Sequence, residues 1–261
     1  MLQCYLEEDS VGSPALHAKM VSFLAYLTAN SITLPSQSDQ DAINTLLVDL
    51  DATGKLGSLH TLWLNRGSLD TWTTINVVDP GNFTLVQKRT VIADPGKGWK
   101  TLHEGGFDTG YNRSVEGSAQ YLSTGVFVHG LLADNNTMVD KGGYLNLKVT
   151  GNREIEWSAN FVAPHKSTYS LVDVTGLIIV NAENYQETLS FDGSVLQTFG
   201  TPGNSSNTAV SNGNIGLMGI LYQGGIIQCM KSTLGAAFIG VSVSGQDAAF
   251  AAAFNKFYGY P

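Results

Sequence analysis

Near Thr71 the hydrophobic period of this chain changes from 3.6 residues to two, and that change constrains the fold more than any other feature. Before it, Leu16, Met20, Phe23, Leu24 and Leu27 recur at helical spacing. So do Ile43, Leu46, Leu47 and Leu50. Ser36 or Ser38 stands ready to cap the second helix, Asp39 and Asp41 fall in its first turn, and Gly54 sits where it should stop. Leu56, Leu59 and Leu62 predict a short third helical turn leading into Trp63.

After the change, apolar residues alternate. Strands are predicted over 82–92, 121–132, 144–149, 155–162, 169–174, 177–180, 187–191, 194–199, 215–222 and 236–243. Asp192-Gly193 between two alternating runs predicts a tight hairpin. Ser244, with Asp247 three residues on, predicts a capping box for a closing helix whose stripe is Phe250, Phe254, Phe257 and Tyr258. The segment 201–214 is the most loop-like stretch. The fold expected is mainly β, an antiparallel concanavalin-like jelly-roll sandwich. N-terminal helices occupy 1–66, and the sandwich with its C-terminal helix occupies 67–261.

Composition agrees. Charged residues are 14% of the chain against a usual quarter, while 29 glycines punctuate the apolar runs. The net charge of −8, without a basic run, argues against nucleic acid as a partner. Cys4 and Cys229 are too few for a disulfide framework or a cysteine zinc site, and whether they pair is open. The acidic start of the chain does not read as a signal peptide, and no apolar run approaches the ~20 residues of a membrane span. A soluble protein made in a cytoplasm is the expectation.

Chemistry-bearing motifs are sparse. His17, His60, His103, His129 and His165 show no metal-ligand spacing, so neither a metal nor a cofactor is expected. Gly240-Val-Ser242-Val-Ser244 lacks the closing glycine of a nucleophile elbow, and the Gly96–Thr101 turn fails the phosphate-loop pattern. Glu154 and Glu156 are the one suggestive pair. Two apart in a strand, they share a face at about 6.5–7 Å, which is the kind of carboxylate pairing glycoside hydrolysis uses. The laminarinase-type hydrolases place a third acid on that strand, where Ser158, Ala159 and Asn160 stand here. Among the aromatics, Trp99, between Lys97 and Lys100 in a Gly-rich loop, is the best candidate for exposure, although packing in the core is the more expected state for it as for the others.

Two stretches carry a resemblance. The run Asp41–Trp63 (DAINTLLVDLDATGKLGSLHTLW) followed by Gly105–Asn112 (GGFDTGYN) resembles a recurrent bacteriophage tail, fibre or capsid-surface protein. The runs Gly176–Asn184 (GLIIVNAEN), Leu189–Leu196 (LSFDGSVL) and Gly235–Asp247 (GAAFIGVSVSGQD) are similar to the laminin-G-like and concanavalin-like pattern. The resemblance implies a non-enzymatic virion protein assembled in a host cytoplasm. Its implied partners are other virion proteins, copies of itself (a trimer by family analogy) and a host surface glycan, with no membrane insertion. The alternative is a jelly-roll polysaccharide hydrolase using Glu154 and Glu156.

Overall fold

The computed structural model describes residues 15–101, 105–112, 122–131, 136–140, 146–149, 154–158, 165–168, 174–183, 186–200, 214–222, 225–227, 230 and 232–261. Cys4, Cys229, His103, the loop stretch 201–213, and the strand positions predicted at 121, 132, 144–145, 159–162 and 169–173 lie outside them.

Two amphipathic helices open the described chain. Helix α1 (Ala18–Ala29) buries Met20, Phe23 and Leu27, and α2 (Gln37–Ala52) buries Ile43, Leu46, Leu47 and Leu50. Ser36 caps α2 by accepting from the Asp39 amide at 3.2 Å, while its hydroxyl donates to the Asp39 carboxylate at 2.7 Å. Gly54, at φ +70°, ends the helix as its left-handed stop.

The strands follow in order: β1 (Leu59–Leu64), β2 (Val86–Arg89), β3 (Ile92–Asp94), β4 (Gly98–Lys100), β5 (Gly105–Asp108), β6 (Leu122–Leu131) and β7 (Asn136–Asp140). Next come β8 (Asn146–Val149), β9 (Glu154–Ser158), β10 (His165–Thr168), β11 (Val174–Glu183), β12 (Gln186–Phe191) and β13 (Ser194–Gly200). Last are β14 (Gly216–Leu217), β15 (Ile220–Tyr222), β16 (Gly225–Ile227) and β17 (Thr233–Gly240), and helix α3 (Asp247–Tyr258) closes the chain.

All the strand pairings among the described residues are antiparallel. They build an eight-stranded sheet in the order β13-β12-β11-β6-β17-β4-β3, with β1 also on β17, and a seven-stranded sheet in the order β10-β9-β8-β7-β14-β5-β2. The fold is therefore the mainly β, jelly-roll-like sandwich with flanking helices that the alternation predicts. Between the sheets lies one core, containing Trp63, Trp99, Phe107, Trp157, Ile178, Val180 and Leu189. A second core lies on the other face of the eight-stranded sheet. There α1, α2 and α3 cover Phe127, Leu177, Ile179, Ala236 and Phe238. The long central strands β6, β11 and β17 thus bury both faces, and every residue of β17 is buried.

Several local predictions are corrected. The third helical turn is only a 3-10 turn over Leu56–Ser58, after which Leu59–Leu64 pairs with β17 as β1. Sheet hydrogen bonding overrides the leucine spacing there, sending Trp63 into the inter-sheet core and Leu62 and Leu64 under the helices. The run 82–92 breaks at Arg89, whose φ is +61°, so that β2 joins one sheet and β3 the other. The run 215–222 breaks at Met218 (φ +63°), whose amide donates to the Met138 carbonyl at 2.7 Å. For Trp99 the more expected, packed state holds: it is buried edge-on against Phe107, because β4 carries it between the sheets. The Asp192-Gly193 hairpin forms as predicted, with both φ values positive.

No helix among the described residues is long and apolar enough to cross a membrane.

Candidate functional site

Helix coverage of the eight-stranded sheet stops partway along its strands, and there the residue chemistry changes. On β11, Leu177 and Ile179 lie under the helices. The next two residues on that face, two and four positions further on, are Asn181 and Glu183. On β6 the same face runs from Phe127 to Ser123, which stands directly opposite Asn181. On β12 it carries Gln186, Thr188 and Ser190, while Leu189 points into the inter-sheet core. A helix seals the apolar part of this face, and a polar strip begins where the helix begins.

Beside the first turn of α3 that strip forms a cleft of about 210 Å³, lined by Asn181, Glu183, Gln186, Thr188 and Ser244. This is room for roughly seven waters, the scale of one pyranose ring. Its floor is held by a buried hydrogen-bond network. Asn181 Nδ2 donates to Asp247 Oδ1 at 3.1 Å, and Ser190 Oγ donates to the same oxygen at 2.6 Å. Ser123 Oγ donates to Asn181 Oδ1 and accepts the Val243 amide at 2.9 Å. At the lip, Ser242 Oγ donates to Glu183 Oε2 at 2.8 Å and accepts the Ser244 amide at 3.1 Å.

Asp247 is the keystone. It is the first residue of α3, where the helix dipole favours a carboxylate, and it is only 6% exposed. The capping box predicted from Ser244 and Asp247 does not form: Gln246 is the N-cap and makes no side-chain cap bond. The Asp247 Oδ1 accepts hydrogen bonds from the sheet, while the carboxylate's charge stays at the positive end of the helix dipole. The β12–β13 hairpin presses against the same turn, for a side chain at Gly193 would come within 2.7 Å of Ala248 Cα. Gly193 also sits at φ +81°, so the position suits glycine on both counts.

At the opposite end of the helical layer, His129 stacks edge-on against Phe127 and Tyr258, and its Nδ1 lies 3.0 Å from the Tyr260 hydroxyl. Burial, helped by the Lys97 ammonium, lowers its pKa from 6.5 to about 4, so it is neutral near pH 7. The imidazole is a packing element between β6 and the end of the chain.

The carboxylates singled out from the sequence lie elsewhere. Glu154 and Glu156 occupy alternate positions of β9, in the other sheet, and the next residue, Trp157, is buried in the core between the sheets. In register Glu156 stands opposite Lys148 on β8 and Lys166 on β10, and Glu154 stands opposite Thr168. Among the described residues no three His, Cys, Asp or Glu side chains gather as a metal site would require. Sequence reasoning missed the cleft altogether. The available signal was the change from Leu177 and Ile179 to Asn181 and Glu183 within one alternating strand.

No protein-family model matches the sequence, and no curated protein matches it. Solved structures of similar fold do exist. A mutant of Trypanosoma rangeli sialidase displaying trans-sialidase activity matches with a TM-score of 0.53 at 12% identity, over 84% of this chain and 39% of that one. The same organism's sialidase in complex with 2,3-difluorosialic acid gives 0.54 at 10%, over 77% and 33%. Botulinum neurotoxin type C, in a structure concerned with cell entry through two ganglioside molecules, gives 0.53 at 11%, over 78% and 52%. The chain thus spans about a third to a half of the length of these structures.

At such identities the likeness is one of fold. It corrects the expectation of a non-enzymatic virion component, because the three structures just named are two sialidases and a toxin whose cell entry involves gangliosides. The exclusion of an enzyme falls with it, since sialidases are glycoside hydrolases.

Proposed function

We propose that this protein is a glycan-recognising β-sandwich that contacts sugar hydroxyls through the cleft between β11, β12 and the start of α3. The observation that carries the reading is the chemistry of the lining. Two amides (Asn181, Gln186), two hydroxyls (Thr188, Ser244) and one carboxylate (Glu183) surround a space the size of a single ring. Sugar hydroxyls both donate and accept, and this set offers acceptors and donors at adjacent strand positions two residues apart. The buried network behind Asn181 fixes its amide before any ligand arrives, which lowers the ordering cost of binding. Likeness of fold to sialidases and to a toxin whose entry involves gangliosides supports a glycan as the ligand class. One ring contacted by a few polar groups gives weak affinity, so presentation on a multivalent surface would matter.

A printed array of neutral and acidic glycans tests the reading. Wild-type protein should bind a subset, and Gln186→Ala combined with Thr188→Val should abolish that binding without lowering the melting temperature, since both side chains are at least partly exposed. Binding that survives the double substitution would move the site away from the cleft. Release of sugar from a bound glycan, lost in Glu154→Gln or Glu156→Gln, would replace recognition by hydrolysis on β9.

A further inference from the structure

The charge of the cleft narrows its ligand. Glu183 is half-buried at the lip, where Ser242 Oγ fills one position on Oε2. Behind the wall stands a second carboxylate, Asp247, buried and accepting from Asn181 and Ser190. Among the described residues the lining holds no cation. Among the described residues Glu183 makes no ion pair, and the Lys55 ammonium, which donates to the Ser242 carbonyl at 3.2 Å, does not line the cleft. The first-turn amides of α3 do not offset this charge for a ligand either, because the Asp247 carboxylate already occupies that end of the helix dipole. Two negative charges without a facing cation favour hydroxyl donors and repel an incoming carboxylate or sulfate.

We infer that the cleft selects neutral glycans and rejects those whose contacting residue carries an acid, with Glu183 as the residue that sets the specificity. The inference rests on the glycan reading of the same cleft. It runs against an acidic ligand of the kind that the sialidase fold brings to mind. Glu183 does two things: it accepts from a ring hydroxyl of a neutral sugar, and it raises the electrostatic cost of a sialic or uronic acid in the same place. A glutamine there keeps the acceptor oxygen for Ser242 while removing the charge.

The test uses matched pairs, each neutral glycan beside its sialylated or uronate counterpart, titrated against the full chain at low and at physiological ionic strength. The acidic member should bind roughly tenfold or more weakly, and added salt should narrow the gap. Glu183→Gln should bring the two members of a pair within about threefold of each other, at an unchanged melting temperature. Preference of the wild-type protein for the acidic member would overturn the inference while leaving glycan recognition standing. A gap that persists in Glu183→Gln would also overturn it, by showing that Glu183 is not its source. Absence of binding to every member, neutral and acidic, would remove the glycan reading itself.

Discussion

One face of the eight-stranded sheet contains two regions built on the same strands with opposite chemistry. Beneath the helices, Phe127, Leu177, Ile179 and Phe238 are fully or almost fully buried, and Phe238 tilts against Phe250 and stacks on Phe254. Beyond the first turn of α3, Ser123, Asn181, Thr188 and Ser190 take the equivalent face positions on β6, β11 and β12. The apolar region gains its stability from area removed from water, and that gain has no direction. The polar region has only hydrogen bonds to hold it, and each bond fixes one atom in one place. A fold that needs both a rigid scaffold and an oriented set of polar groups obtains them from one sheet by ending its helix cover partway along.

Substitutions at three positions probe the two regions. The largest effect is expected from Phe238→Ala, which opens a cavity between β17, Phe250 and Phe254. A loss of about 3–5 kcal/mol in chemical denaturation is expected. A loss under 1 kcal/mol would mean that the helices are not packed on the sheet as described. Next is Asp247→Ala, which strands the Asn181 amide and the Ser190 hydroxyl and should cost about 1–3 kcal/mol. Glycan binding should vanish with it, whereas Asp247→Asn, keeping an acceptor, should recover most of the stability. If alanine and asparagine behave alike, the network does not orient the cleft.

The smallest effect is on pH dependence and belongs to the apolar region. His129 titrates near 6.5 in the unfolded chain and near 4 when buried, so below 6.5 the unfolded state binds the extra proton. Its contribution is fully present above pH 6.5 and is lost as pH falls through the window from 6.5 to about 4. The melting temperature should therefore drop over that window, by roughly a few degrees for a chain of this size. His129→Gln should flatten the drop. An equally steep profile in that variant would assign the acid sensitivity to other groups.

The sequence by itself determined the class of fold. Alternation with period two imposed strands, the stripes of Met20, Phe23 and Leu27 and of Phe250, Phe254 and Phe257 imposed amphipathic helices, and Asp192-Gly193 imposed its hairpin. These are local properties, set by backbone sterics and by which side chains a helix or strand places together. The pairing of β1 with β17 was decided by a partner far along the chain, and the division of 82–92 between two sheets by the separate pairings of β2 with β5 and of β3 with β4; no local period encodes either. The cleft belongs to this second kind. Asn181 and Asp247 stand 66 residues apart, Ser190 and Asp247 57, and Ser123 and Val243 120, and no spacing rule links them. Their polarity reads in the sequence as ordinary strand surface. Only the packing of α3 onto the sheet makes it a buried network with an open lip, because the cost of burying an unpaired polar group forces each to find a partner once the helix is in place.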